Sequence, residues 1–239
     1  MTLDPSRRPS GGPATLAPAS LVLALDAATA TGSVALLRGP SVVAEREVAM
    51  RGDDEERLMP AVSDLLAVAG VPLDGVAAIV CGEGPGSFTS LRIAASIAKG
   101  LALSARVPLY AVSSLALIVA GASRALEPGR YLAALDAMRG DLFVSELAVS
   151  EDGFVHASGV IDLMPAPAAA ERARVLGLRM IGPGCAIAEP PRARGAGRLT
   201  PSPLNAPPVS LTAWEPFYGR LAEAQVRWEA AHGRPLPHG

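Results

Sequence analysis

The chain has 239 residues, which is enough for one large or two modest domains that each bury a hydrophobic core. Hydrophobic residues make up 50% of it and charged residues 18%, yet its longest apolar runs stop well short of the roughly 20 residues that cross a bilayer. The 21 basic and 23 acidic side chains leave a net charge of −2 without a basic stripe, which argues against a protein that binds nucleic acid on its own.

Residues 1–19 are rich in Pro, Ser, Gly and Ala and contain no continuous apolar run. This composition predicts a disordered N-terminal lead-in rather than a secretion signal. We therefore expect a cytoplasmic protein without a membrane span.

Residues 20–106 predict a first α/β lobe. Three apolar strands separated by turns come first, and a helix with apolar residues at helical spacing follows over 58–69, with Gly70 as its stop. A short buried strand is predicted over 76–81. A tight glycine loop, 84–87, then leads directly into a long helix over about 87–104.

This long helix is apolar around most of its circumference. At about 100° per residue, one side of it holds Leu91, Ala94, Ala95, Ala98, Leu101 and Ala102. Ile93, Ile97 and Gly100 fall on the adjoining side. Because an ordinary surface helix hides a stripe of only about 100°, one side should pack on the sheet of its own lobe. The second side needs another cover, which is either an internal layer or another subunit.

Residues 107–211 predict a second lobe, because the string Leu-Asp-Ala at 25–27, before a loop and a strand, recurs at 135–137 before an alternating strand. Within this lobe, 182–209 is so rich in Pro, Gly and Ala that an irregular loop is expected. The final segment, 212–231, shows helical spacing and predicts a C-terminal helix.

Asp26 follows a buried strand and precedes a loop, which is a place where α/β proteins hold magnesium or phosphate. The alternative is a loop carboxylate that accepts backbone N–H groups. Four residues without glycine separate Asp26 from Thr31 and Gly32, so the chain lacks glycine where a phosphate would approach the acid. This pattern favours the structural role.

The loop from Gly84 to Ser87 could bind an anion through free amides and the helix dipole, or it could be a helix entry capped by Ser87 or Thr89. Arg92 lies in the first turn, where a cation opposes the dipole, so it should pair with a carboxylate of this chain, a partner or a ligand. The loop lacks the Gly-Lys-Ser/Thr of a P-loop. Ser87 and Arg92 are therefore candidate anion contacts.

No autonomous catalytic set is visible in the sequence. The histidines at 156, 232 and 238 form no His-x-x-x-His pair, and the Gly-x-Ser-x-Gly elbow of serine hydrolases is absent. Cys81 and Cys185 are far apart and are interpreted as reduced thiols. We predict no catalytic residue, no metal and no cofactor.

Several segments resemble the TsaB (YeaZ-like) family, which takes part in threonylcarbamoyladenosine modification of bacterial tRNA. The segments that carry this resemblance are 25–36, 84–93, 98–102, 112–115, 135–143 and 218–228. The block Gly-Pro-Gly-Ser-Phe-Thr at 84–89 is highly specific, and the similarity runs from about residue 20 to 235.

The resemblance implies an α/β fold with two lobes of the actin, Hsp70 and sugar-kinase type, with RNase H-like lobes and a degenerate active cleft. It implies a non-catalytic subunit that scaffolds and activates a TsaD-like transferase, with a TsaE-like ATPase acting through the complex and tRNA bound only indirectly. The family's contact surface is formed by the two helices of the first lobe. At this interface we place Met59, Val62, Leu66, Ile93 and Ile97.

The resemblance leaves two questions open. The family usually has glycine where Ser90 and Ala94 stand, and the larger side chains should keep a partner backbone or a phosphate farther from the helix. Whether the isolated chain forms a homodimer through the same helices is also open.

The rival function is a small-molecule kinase or ATPase of the same superfamily, which would use Asp26 with magnesium and the loop from Gly84 to Ser87.

Overall fold

The computed structural model describes residues 20–50 and 56–219. Their strands are β1 (Leu21–Asp26), β2 (Thr31–Arg38), β3 (Ser41–Ala49), β4 (Ala78–Gly82), β5 (Leu109–Val112), β6 (Gly129–Asp136), β7 (Asp141–Val149), β8 (Val155–Ala157), β9 (Asp162–Pro165), β10 (Arg179–Ile181) and β11 (Leu199–Thr200). Their α-helices are α1 (Leu58–Ala69), α2 (Phe88–Ala105), α3 (Ser114–Ala120) and α4 (Ala166–Leu176). None of the helices within these ranges is long and apolar enough to span a membrane.

The first sheet has the strand order β3-β2-β1-β4-β5. The first three strands form the predicted antiparallel meander, and β4 and β5 add to β1 in parallel. Helices α1 and α2 lie on one face of this sheet, where Leu23 and Leu25 of β1 share a core with Leu65 of α1 and Ala98 of α2. The two helices of the first lobe are therefore neighbours on the same layer.

The residues that bound α1 explain its position. The Glu56 carboxylate accepts the backbone N–H of Met59 at 3.1 Å and also that of Leu58, which satisfies free amides of the first turn. Gly70 ends the helix in the left-handed conformation at φ 64°, as the sequence predicted.

The opposite face of the first sheet packs against α3 and the second sheet. The second sheet has the order β10-β6-β7-β8-β11, with β9 paired to β7. The shared core includes Val80 of the first sheet, Leu115 of α3 and Tyr131 and Phe143 of the second sheet. Helix α4 covers the far face of the second sheet through Ala169 and Ala173. The predicted two-lobed α/β architecture is confirmed.

The structure differs from the expected boundaries in two places. Strand β5 pairs with β4, so the first sheet extends to Val112 rather than ending at residue 106. The expected irregular loop, 182–209, contains a 3₁₀ helix at Ala193–Arg198 and strand β11. The backbone N–H of Ala193 donates to Ser33 Oγ at 2.9 Å, so this segment lies against the first sheet.

The predictions for the two ends of the chain fall mostly outside the described residues. This applies to the lead-in at 1–19 and to 220–231 of the predicted C-terminal helix. Residues 212–219 are described, and they form a turn, in which the Trp214 N–H donates to Ser210 O at 2.9 Å, followed by an irregular segment. Pro216 and Gly219 within this stretch disfavour a continuous helix.

Candidate functional site: the buried Asp26 turn, the inter-lobe cleft and the exposed face of α2

Asp26 is completely buried, and its carboxylate is occupied by groups of the chain itself. Oδ1 accepts the backbone N–H of Ala28 at 3.0 Å, and Oδ2 accepts the hydroxyl of Ser114 at 2.5 Å. Burial raises the pKa of Asp26 above its usual value, although both hydrogen bonds favour the ionised form. Because Ser114 begins α3, Asp26 ties the end of β1 to that helix. This is the structural role that the sequence favoured.

The glycine loop before α2 is packed tightly against the Asp26 turn. The backbone N–H of Ser87 donates to Ala28 O at 2.8 Å, and that of Gly84 donates to Ser114 Oγ at 3.0 Å. A Cβ added to Gly86 would lie 2.2 Å from Ala28 O, which no real contact allows. Residue 86 is therefore glycine because the Ala28 backbone lies against it, and this packing does not indicate a phosphate-binding loop.

A cleft of about 690 Å³ opens between the lobes, beside this loop. Its described lining includes Thr29, Ser87, Met138, Met180 and the Asp136 carboxylate, and none of these lining residues is basic. Asp26 is not part of the lining. A nucleotide would bring several negative charges next to the Asp136 carboxylate, and no basic side chain of the described lining would neutralise them. The described residues therefore suit a phosphate ligand poorly.

Helix α2 is buried on one side and open on the other. All six residues of the predicted core side are buried: Leu91, Ala94, Ala95, Ala98, Leu101 and Ala102. On the adjoining side, Ile93 and Ile97 are half-buried, and Gly100 is exposed. Further along the helix, Leu103 is 72% exposed. The chain's own layers therefore leave the second apolar side of α2 partly uncovered.

The uncovered side of α2 forms a shallow groove of about 470 Å³. It is lined by Glu56, Phe88, Thr89, Arg92, Ile93, Ser96 and Ile97. Its apolar side chains are Phe88, Ile93 and Ile97, and its charged groups are the Glu56 carboxylate and the Arg92 guanidinium. We call the residues of α2 that line this groove, with Gly100 and Leu103 beyond them, the α2 docking face.

The five residues expected at the partner interface divide into two groups. Met59 is 37% exposed, and Ile93 and Ile97 are half-buried at the surface. Val62 and Leu66, by contrast, are 0% and 8% exposed and belong to the core beneath the first sheet. The chain's own sheet covers Val62 and Leu66, so these two side chains do not reach the outer surface where the sequence placed them.

Ser87 and Arg92 are not brought together. Ser87 stands at the N-cap position of α2 and lines the inter-lobe cleft, but its hydroxyl hydrogen-bonds with Ser90 Oγ at 3.0 Å instead of capping a backbone amide. Arg92 lines the groove on the outer side of the helix, and its guanidinium lies 5.3 Å from the centre of the Phe88 ring. The two residues therefore do not form a joint anion site.

The side chains of Ser90 and Ala94 do not face a partner. Ser90 is 4% exposed and Ala94 is 0% exposed, so both lie under the chain's own layers. The expectation that they hold a partner or phosphate away from the helix does not fit this position.

A segment near the end of the described chain, 209–219, returns to the first lobe. We call it the C-terminal strap. The backbone N–H of Phe217 donates to Glu83 O at 2.7 Å, and the Tyr218 ring lies 4.5 Å from the Phe88 ring. The strap thus fixes the start of the α2 docking face. Sequence spacing could not reveal this contact, because the strap and the helix start are more than a hundred residues apart.

Comparisons with known proteins agree with this geometry. A model of the family described as TsaD: tRNA N6-adenosine threonylcarbamoyltransferase matches residues 48–212, which is more than half of the chain. The chain therefore belongs to this family.

Curated relatives and a solved structure narrow the placement. The tRNA threonylcarbamoyladenosine biosynthesis protein TsaB of Escherichia coli (strain K12) is 41% identical over 135 residues, which are 56% of this chain and 58% of that protein. The TsaB of Bacillus subtilis (strain 168) is 36% identical over 127 residues, 51% of this chain and 52% of that protein. The chain thus matches little more than half the length of these relatives.

The structure of YeaZ from Pseudomonas aeruginosa superposes with a TM-score of 0.67 at 29% identity, covering 83% of this chain and 99% of that one. Within the family, this chain is a TsaB/YeaZ-like protein.

Proposed function

We propose that this chain is a non-catalytic subunit in the biosynthesis of tRNA threonylcarbamoyladenosine, and that it binds and activates a TsaD-like transferase through the α2 docking face. The observation that carries the proposal is the second apolar side of α2, where Ile93 and Ile97 remain partly open to solvent. The names of the curated TsaB relatives support the pathway.

The energetic argument starts from the apolar groove. Completing the burial of a half-covered isoleucine contributes about 1 kcal/mol, and covering the exposed Leu103 contributes about 1–2 kcal/mol. Residues that dominate binding cluster near the centre of an interface in well-packed pockets, and Ile93 and Ile97 lie in the middle of this groove. Binding would stabilise whichever TsaD conformation presents the matching surface, which is how a subunit without catalytic groups can activate another.

The remaining parts of the proposal concern the assembly. A TsaE-like ATPase acts through the complex, and tRNA is held by the other subunits, since the net charge of −2 provides no basic footprint here. The proposal places this assembly in the cytoplasm. A homodimer through the same face would compete with the TsaD-like subunit for it.

The direct test is reconstitution of the modification reaction with the TsaD-like subunit of the same organism. We expect modified adenosine, detected by mass spectrometry of tRNA digests, to accumulate when this chain is present. Full modification in its absence would refute the proposed activation.

The rival kinase or ATPase function has its own test. Asp26 is buried and the cleft lining is not basic, so we expect no binding of ATP with magnesium to the isolated chain in calorimetric titration. Magnesium-dependent ATP binding that is lost in Asp26→Asn would favour the rival.

A further inference from the structure

We propose that the α2 docking face receives a helix of the partner that brings a carboxylate to Arg92 and lays its backbone against Gly100. This inference rests on the proposed function and specifies the chemistry that the partner must offer. Two separate observations carry it, one at each end of the face.

The first observation is a glycine that the chain's own packing does not require. Gly100 lies inside α2, where glycine is less favourable than alanine because it loses more backbone freedom on folding. A Cβ added there would meet no atom of the described residues within 4 Å, whereas one added to Gly86 would strike the backbone of Ala28. The φ of Gly100 is also an ordinary helical one.

The position of Gly100 on the helix suggests a reason for the missing side chain. At about 100° per residue, Ile93, Ile97 and Gly100 lie within about 60° of one another, so the glycine continues the half-open apolar line. A missing Cβ on an exposed helix face lets another backbone approach closely. No described residue makes that approach, so the surface at Gly100 is open to a backbone from outside the described chain.

The second observation is the arginine at the other end of the face. Arg92 is the fifth residue of α2, about one turn in from the start of the helix at Phe88. Its guanidinium is positioned over the Phe88 ring, and Phe88 in turn is held by Tyr218 of the C-terminal strap. The Phe88 ring therefore holds the Arg92 guanidinium beside the groove.

Within residues 20–50 and 56–219, no carboxylate forms an ion pair with Arg92. Glu56 lines the same groove, but its carboxylate already accepts the backbone N–H groups that begin α1. Of the three partners open to Arg92 from sequence, a carboxylate on the docked protein fits this arrangement best.

The dimensions suit a helix. From Phe88 to Leu103 the face is about 22 Å long at 1.5 Å per residue, or about four helical turns. Its middle is apolar, and Arg92 is the charged side chain among its described residues that forms no ion pair and caps no helix. An amphipathic helix with an acidic residue near Arg92 and small residues opposite Gly100 matches both ends.

The glycine is tested with Gly100→Ala and the control Val175→Ala, at an exposed residue of α4 outside the docking face where alanine also improves helix propensity. Both variants should raise the Tm of the isolated chain by about 2 °C. Gly100→Ala should weaken binding of the TsaD-like subunit in calorimetry by about tenfold, and Val175→Ala should not. Unchanged affinity in Gly100→Ala would overturn the close approach.

The arginine is tested in the same titration with Arg92→Glu and Arg92→Lys, beside the distant exposed control Arg124→Glu. Arg92→Glu should weaken binding at least tenfold, Arg92→Lys much less, and Arg124→Glu not at all. Binding of Arg92→Glu at wild-type affinity would overturn the carboxylate. If Ile97→Glu abolishes binding while the Arg92 and Gly100 variants bind normally, the proposed function stands and this inference falls. If Ile97→Glu also binds normally, the proposed function itself fails.

Discussion

Replacing Asp26 with alanine tests whether its carboxylate has a structural or a catalytic role. The change removes the acceptor of the Ala28 N–H at 3.0 Å and of the Ser114 hydroxyl at 2.5 Å, and both donors lie in the core. A buried donor left without an acceptor costs about 1–3 kcal/mol, so the two together should lower the free energy of unfolding by about 2–6 kcal/mol. That is a large part of the roughly 5–15 kcal/mol that stabilises a typical domain.

The assay is urea unfolding of the isolated chain, followed by circular dichroism. Ser114→Ala removes one of the two donors to Asp26 and also the acceptor of the Gly84 N–H, so it should be destabilised as well. An Asp26→Ala variant that is as stable as the wild type, or more stable, would refute the structural reading, because removing a strained catalytic group typically leaves stability intact or raises it.

Two further predictions use the same unfolding assay. Hydrogen bonds from Arg172 lower the pKa of Glu146 in the folded chain. The unfolded chain therefore binds this proton more tightly, and the stability that Glu146 contributes is lost as pH falls below its usual pKa. Glu146→Gln should flatten the pH dependence of the free energy of unfolding between about pH 5 and pH 3, and an unaltered slope would contradict this. Gly195→Ala should lower the free energy of unfolding by about 1–3 kcal/mol, because its Cβ would lie 2.6 Å from the backbone nitrogen of Gly121. Gly184→Ala, whose Cβ would meet nothing within 4 Å, should stay within about 0.5 kcal/mol of the wild type, and equal losses in both variants would show that the contact is not the cause.

The sequence predicted those features that depend on local periodicity. The core side of α2 could be derived from the spacing of its apolar residues, and all six of them are buried. The stop of α1 at Gly70 followed from the need for a left-handed residue at the end of a helix. The string Leu-Asp-Ala, whose recurrence predicted two lobes, lies at the end of β1 in the first sheet and at the end of β6 in the second.

Contacts between distant segments could not be predicted in this way. Ser114 is 88 residues from Asp26, and Ser33 is 160 residues from Ala193, so no spacing within one element reveals either hydrogen bond. Strand β5 was assigned to the wrong lobe because a short apolar strand does not show which sheet it joins.

The candidate interface shows the same limit. Helical spacing identified an apolar stripe on α1 and two apolar sides on α2, but it could not show which stripe the chain itself covers. Val62 and Leu66 of α1 turned inward, whereas Ile93 and Ile97 of α2 stayed partly open. Helix α2 has more apolar surface than its own sheet buries, and that surplus is where we place the partner.

The most direct test of the account is size-exclusion chromatography with light scattering of this chain mixed with its TsaD-like subunit. The variant carries Ile93→Glu and Ile97→Glu, and the control carries Val175→Glu at a side chain of α4 that is 64% exposed. Circular dichroism first confirms that each variant is folded. We predict a complex for the wild type and the control and separate subunits for the double variant. A double variant that still elutes as an intact complex would contradict the claim that the exposed face of α2 is the docking surface.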